Sequence, residues 1–268
     1  MGISAADVMK LRKMSGQGMM DCKKALAETN GDIEEAMTLL RKKGLATMAK
    51  RAERETTEGR VVVKTVGDVT VMVSLCCETD FVAKNDDFIA ASEKLADVAL
   101  NLAEGEKLED VFAEDITVLV SKTGEKMEVG DWARLTADAG CVVGSYVHFN
   151  NKTGALVKIE GPASDALTQI ANEICMHITA TKPMALDQSS FDPEVIEKEK
   201  SIAAEQMRNE GKPEQIIENI VKGKINKLMA DNCLVNQKFV KNEEITVEKA
   251  AKQAGATKIV DFARVTIG

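Results

Sequence analysis

The 268-residue sequence predicts an α+β fold with antiparallel sheets and an inserted antiparallel helical hairpin. Three observations carry that expectation. The first fifty residues place apolar side chains at helical spacing between capping and turn signals. Two later segments each read as strand, two-residue turn, strand, then amphipathic helix. Near the C-terminal end, two long helical patterns flank a Gly-Lys-Pro turn.

Taken in order, Ser4 and Asp7 give an S-x-x-D helix start, and Val8 and Leu11 line the face that follows. SGQG, residues 15–18, is a turn. MMDCKKALAET is a second helix that ends before Asn30-Gly31. Asp32 caps a third, with Glu35 three residues on and Ile33, Ala36, Met37 and Leu40 on one face; Gly44 is expected to close it. Three short helices with tight turns resemble a ubiquitin-associated-type bundle. A basic helix, LATMAKRAER, is expected to connect it to the rest, giving a unit over residues 1–55.

Over residues 56–140 the period changes. RVVVKTV, the turn Gly67-Asp68 and VTVMVSL predict a hairpin that runs into a loop, CCETDFVAKN. DDFIAASEKLADVALNLA then carries Phe88, Ala91, Leu95, Ala99 and Leu102 on one helical stripe. A shorter helix around 116–120 and a strand near 127–135 complete the first core subdomain. The pattern recurs from residue 141: CVVGSYVHF, the turn Asn150-Asn151, TGALVKIEG and the helix SDALTQIANEICMHITA. This second, related α+β subdomain occupies 141–190 and resumes at 233–268 with the helix VEKAAKQAG and the strand TKIVDFARVTI. Residues 191–232 form the hairpin, turning at Gly211-Lys212-Pro213 with Pro213 at the first position of its second helix. Val195, Ile202 and Met207 are expected to face Ile216, Ile217, Ile220, Ile225 and Leu228.

Composition narrows the function classes. Apolar residues make up 44% and charged residues 29%, ordinary for a globular protein. No apolar run nears the ~20 residues of a membrane helix, and the start of the chain lacks the apolar block of a signal peptide. Net charge is −8, unevenly spread: residues 1–55 carry 11 Lys and Arg against 8 Asp and Glu, the remainder 24 against 35. The acidic body argues against direct nucleic-acid binding, and nothing points to a membrane. The basic start is a solvated helix surface or a docking patch for an acidic protein. Six scattered cysteines without C-x-x-C spacing suggest reduced thiols and a cytoplasmic setting.

Catalytic equipment is sparse. VSKTGEKM at 120–127 lacks the first Gly and trailing Ser or Thr of a phosphate-binding loop. His148 and His177, with scattered thiols, form no metal-ligand spacing, so neither metal nor cofactor is expected. Cys76 and Cys77 sit beside Glu78 and Asp80, which would raise a thiol pKa; strand alternation places them on opposite sheet faces.

Two local features stand out. Met19-Met20 opens a helix after a glycine turn, and Phe81, one of seven Phe residues, follows Asp80 where a strand ends. LRKMSGQGMMDCKKAL, 11–26, is similar to LRxxTGAGMMDCKKAL of the translation elongation factor Ts family, with Lys13, Met14, Ser15 and Gln17 as variations. CCETDFVAKNDDF contains that family's TDFV as Thr79, Asp80, Phe81 and Val82. NGDIEEA at 30–36, GSYVH at 144–148 and HITATKP at 177–183 extend the resemblance over nearly the whole chain.

The resemblance implies an exchange factor, not an enzyme, that releases GDP from the GTPase elongation factor Tu. It implies that Phe81 wedges between two side chains near that GTPase's magnesium and phosphate site. Thr79, Asp80 and Val82 belong to the same contact, with Asp80 disturbing the magnesium. Arg12, Met19 and Met20 would lie against a helix of the nucleotide-binding domain, and His148 would make another contact of the core. A homodimer through the core or the helical hairpin is a further partner expectation. Many family members continue into a C-terminal helical module; this sequence ends at RVTIG, so that contact is expected to be absent. Two other readings stand beside this one. The N-terminal bundle could serve as an interaction module for ubiquitin-like or nascent-chain partners, or Cys77 could be a reactive thiol.

Overall fold

The computed structural model describes residues 3–268 and is a mixed helix and sheet structure. Helix α1 (Ala5–Ser15) starts where the Ser4 hydroxyl accepts the Asp7 N–H at 3.1 Å, and ends at Gly16, whose φ of +66° closes the last turn. Helices α2 (Met19–Glu28) and α3 (Ile33–Lys50) complete the N-terminal unit. Val8, Leu11, Cys22, Ala25, Leu26, Ala36 and Leu40 form its small core.

The expected stop at Gly44 is not there: α3 runs on to Lys50 and absorbs most of the expected connector. Gly44 is buried mid-helix, and a Cβ on it would lie 2.9 Å from the Thr117 carbonyl oxygen. Its missing side chain lets two helices approach closely; it does not end one.

The next module is a hairpin with helices on one face. Strands β1 (Glu58–Val66) and β2 (Val69–Cys77) join through Gly67-Asp68, with Val66 opposite Val69. A single helical turn α4 (Asp80–Ala83) follows, then α5 (Asp86–Asn101), α6 (Leu108–Val111) and α7 (Ala113–Thr123). Strand β3 (Met127–Thr136) returns antiparallel to β2. Phe88, Leu95 and Ala99 of α5 pack with Val71, Val73, Leu75 and Cys77 of β2, as the stripe in the sequence anticipates. The segment expected as a loop after β2 is partly helical, because Thr79 caps it.

The second module repeats the order. Strands β4 (Cys141–Val147) and β5 (Thr153–Glu160) form a hairpin, helix α8 (Asp165–Thr181) follows, and the last strand returns to β5. Interposed is the helical hairpin of α9 (Pro193–Asn209) and α10 (Glu214–Asn232). Its seam is Ala203, Met207, Ile217, Val221 and Ile225. Ile202 and Ile216 fall one residue off that i, i+4 seam and stay 40% and 44% exposed, against expectation. Pro213 is the N-cap of α10 and not its first helical residue. A small unexpected hairpin, β6 (Lys238–Phe239) and β7 (Asn242–Thr246), precedes α11 (Val247–Gln253) and β8 (Lys258–Thr266).

The two three-stranded sheets have matching orders, β1-β2-β3 and β4-β5-β8. They stack through Val61, Met72, Cys76, Leu156, Val265 and Ile267. A Cβ on Gly154 would lie 2.8 Å from the Met72 sulfur, so a side chain there would press on the facing sheet. Helices α5 and α7 cover one outer face, and α8 and α11 the other. Among the described residues no helix is long and apolar enough to cross a membrane.

Candidate functional site

The end of β2 delivers a chain turn whose every residue but one is held. Cys77 points into the helix-covered core and Cys76 into the inter-sheet core, as alternation requires. Burial, reinforced by Glu128 for Cys76 and Glu125 for Cys77, pushes these thiols up to about 11 and about 12. Neither is a thiolate nucleophile near neutral pH, which disfavours the thiol-enzyme reading.

Glu78 comes next. Its carboxylate accepts from Arg51 at 2.8 Å, from Arg54 at 2.7 Å and from the Lys126 N–H at 2.6 Å. Burial would raise its pKa, but the Lys126 N–H and then Arg54 and Arg51 outweigh that, drawing it down from 4.5 to about 2. The end of α3, with the residues just beyond it, is thereby tied to the base of the turn. Thr79 donates its hydroxyl at 2.7 Å and its N–H at 3.1 Å to the Glu125 carboxylate, and its Oγ1 accepts the Val82 N–H at 3.4 Å. Val82 and Ala83 pack against the first module's core. Asp80 pairs with Lys84 at 2.6 Å on the surface, and that ammonium holds its carboxyl below the usual range.

What remains is Phe81, 83% exposed, at the crest of a turn that packing and hydrogen bonds fix from below. A large apolar ring held in water on an ordered turn would lose little freedom on docking.

The other sequence-predicted residues fall into two places. Arg12 is exposed in the last turn of α1, and Met19 and Met20 open α2 with 48% and 65% exposure. Met9 and Met14, which the sequence reading passed over, are also exposed on α1. His148 follows β4, half-buried, and its N–H donates to the Thr153 carbonyl at 2.9 Å. The structure brings the loop after His148 and Asp80 to one cleft, lined also by Ala83, Lys84 and Phe149. Arg12, Met19 and Met20 do not line it.

His177 is structural. Its Nδ1 accepts the Val240 N–H at 3.2 Å, so Nε2 carries the proton to Gln237 Oε1 at 3.0 Å. Burial keeps this imidazole neutral by lowering its pKa. Among the described residues, no three or more His, Cys, Asp and Glu side chains group so as to hold a metal ion.

Phe149 was missed. It is 86% exposed, and its ring lies 4.3 Å from that of His148. At the end of the segment CVVGSYVHF it reads as a strand aromatic, whereas β4 ends at Val147 and leaves Phe149 in the turn.

Comparison with known proteins agrees with the motifs. The family model described as Elongation factor TS matches residues 78–268. A protein named Elongation factor Ts from Christiangramia forsetii is 42% identical over 275 residues, covering 99% of each chain. One from Thioalkalivibrio sulfidiphilus is 42% identical over 282 residues, covering 100% of this chain and 93% of its own. Another, from Amoebophilus asiaticus, is 40% identical and is matched along 100% of both chains.

Proposed function

Because this chain belongs to the elongation factor Ts family, we propose that it is a guanine nucleotide exchange factor for elongation factor Tu, acting through the turn that carries Phe81. The observation that carries the reading is the exposure of Phe81, at 83%, on a turn whose neighbours are all pinned. Such a factor needs no acid, base or nucleophile of its own. It must bind the empty GTPase more tightly than the nucleotide-bound one, and linkage then makes nucleotide and factor weaken each other equally.

The magnitude is adequate. Burying a Phe removes ~150–250 Å² from water, and at ~25 cal/mol per Å² the gain is bounded at roughly 4–6 kcal/mol. Each ~1.4 kcal/mol realised only in the empty form shifts relative affinity about tenfold. Because Glu78 and Thr79 already hold the turn, little ordering entropy opposes docking. Asp80, ionised beside Lys84, would bring negative charge toward the partner's magnesium. Thr79 and Val82 set the position of the pair. Arg12, Met19 and Met20 would form a second contact, in which methionines adapt to a helix surface, and His148 a third on the core. The division into 1–55, 56–140, 141–190 with 233–268, and 191–232 belongs to the same proposal.

A chromatographic test follows from linkage. Mixed with elongation factor Tu loaded with GDP, and freed of excess nucleotide, this protein should elute in a complex depleted of GDP. Added GDP and magnesium should dissolve that complex. Co-elution with GDP fully retained would refute an exchange role.

A further inference from the structure

We propose that Phe149 is a second anchor for the same GTPase, setting how tightly the partner is held while Phe81 sets how fast it loses nucleotide. This inference rests on the exchange reading above. Phe149 and Phe81, at 86% and 83%, are the most exposed large apolar side chains among the described residues; Met20 follows at 65%. Phe88, Phe112, Phe191 and Phe239 are all buried. Single exposed apolar residues are common and signify little. Here the two come from turns that follow strands of different sheets, and those turns share a cleft whose lining includes Asp80 and Phe149.

The loop bearing Phe149 is as well fixed as the turn bearing Phe81. The Asn151 carbonyl accepts the Val61 N–H at 2.7 Å, and the Asn151 N–H donates to the His148 carbonyl at 2.8 Å. Lys152 reaches across to Glu58 at 2.5 Å and to the Thr57 carbonyl at 3.3 Å. The ring is therefore presented at a set position relative to the first sheet, with His148 against it. A ring on a fixed loop loses little freedom on docking, which is what an anchor residue requires.

The surroundings say what it fits. Asp80 is paired with Lys84 and Glu58 with Lys152, which leaves Arg60 as the cleft-lining charge without an ion pair among the described residues. An apolar ring framed by two ion pairs suits an apolar notch on a protein surface, and the single guanidinium of Arg60 is not the cluster of positive charge that a nucleic-acid backbone calls for. Its place beside Asp80 makes it continuous with the contact proposed for Phe81.

The test is a titration of labelled GDP release from elongation factor Tu with wild type and Phe149→Ala. The expected result is a half-saturating concentration raised about 10- to 30-fold with the maximal rate unchanged. Phe149→Tyr, which keeps the ring, should restore the wild-type concentration dependence. An unaltered thermal midpoint would show that the exposed-site variant folds. A Phe149→Ala curve superimposed on wild type would overturn the anchor, and so would a loss of maximal rate at unchanged half-saturation. Absence of stimulation by wild type itself would overturn the exchange reading, and the anchor with it.

Discussion

Glu78 decides where Phe81 stands. Its carboxylate collects two guanidinium groups from the end of the N-terminal unit and one backbone N–H from Lys126, just before β3. Replacement by Ala would strand the Lys126 N–H and loosen the turn, at a cost of about 1–3 kcal/mol in denaturant unfolding. The pH dependence has a definite sign. Because the folded-state pKa is depressed, the contribution is complete above the ordinary value of 4.5 and is lost as pH falls toward about 2. The urea midpoint of wild type should drop across that window, and that of Glu78→Gln should drop less. Equal slopes would show that Glu78 is not the group responsible. Little of this network was legible in the sequence. Thr79, Asp80 and Phe81 are adjacent and form a recognisable string, whereas Arg51, Arg54 and Glu125 reach the turn only through the tertiary fold. Phe149 escaped for the same reason: exposure is a property of the folded surface, and an aromatic beside a strand reads equally well as core.

At the scale of elements, local chemistry was legible where local chemistry decides. The turns Gly67-Asp68 and Asn150-Asn151 lie between the strands they were expected to join, and Ser4 and Asp32 cap the helices they were expected to cap. Gly44 was misread because its role is a contact with α7, invisible from its neighbours in sequence. The contrast with Gly223, exposed in α10 with no atom near an added Cβ, gives a paired prediction. Gly223→Ala should stabilise by about 0.5–1 kcal/mol through helix propensity. Gly44→Ala gains the same propensity but drives a methyl to 2.9 Å from the Thr117 carbonyl, and should destabilise by roughly 1–3 kcal/mol. Calorimetric midpoints moving in the same direction for both would contradict the close-contact reading. The hairpin illustrates a related limit. Its two helices and turn were readable, but which isoleucines meet was not, because a seam of i, i+4 residues leaves Ile202 and Ile216 just outside it.

For the whole molecule, two stacked sheets with helices on both outer faces make a frame that brings the turn after β2 and the turn after β4 to a shared cleft. The N-terminal unit is tied to that frame through Gly44 on α7 and through Glu78. In the proposed exchange role, a wedge that yields could not displace what it pushes against. The central claim is that a fixed Phe81 lowers the partner's hold on nucleotide. Its most direct test is the rate of labelled GDP release from elongation factor Tu in the presence of magnesium, with wild type and Phe81→Ala side by side at saturating concentration. The account predicts strong acceleration by wild type and a maximal rate reduced about tenfold or more in the variant. Equal acceleration by both proteins would contradict it.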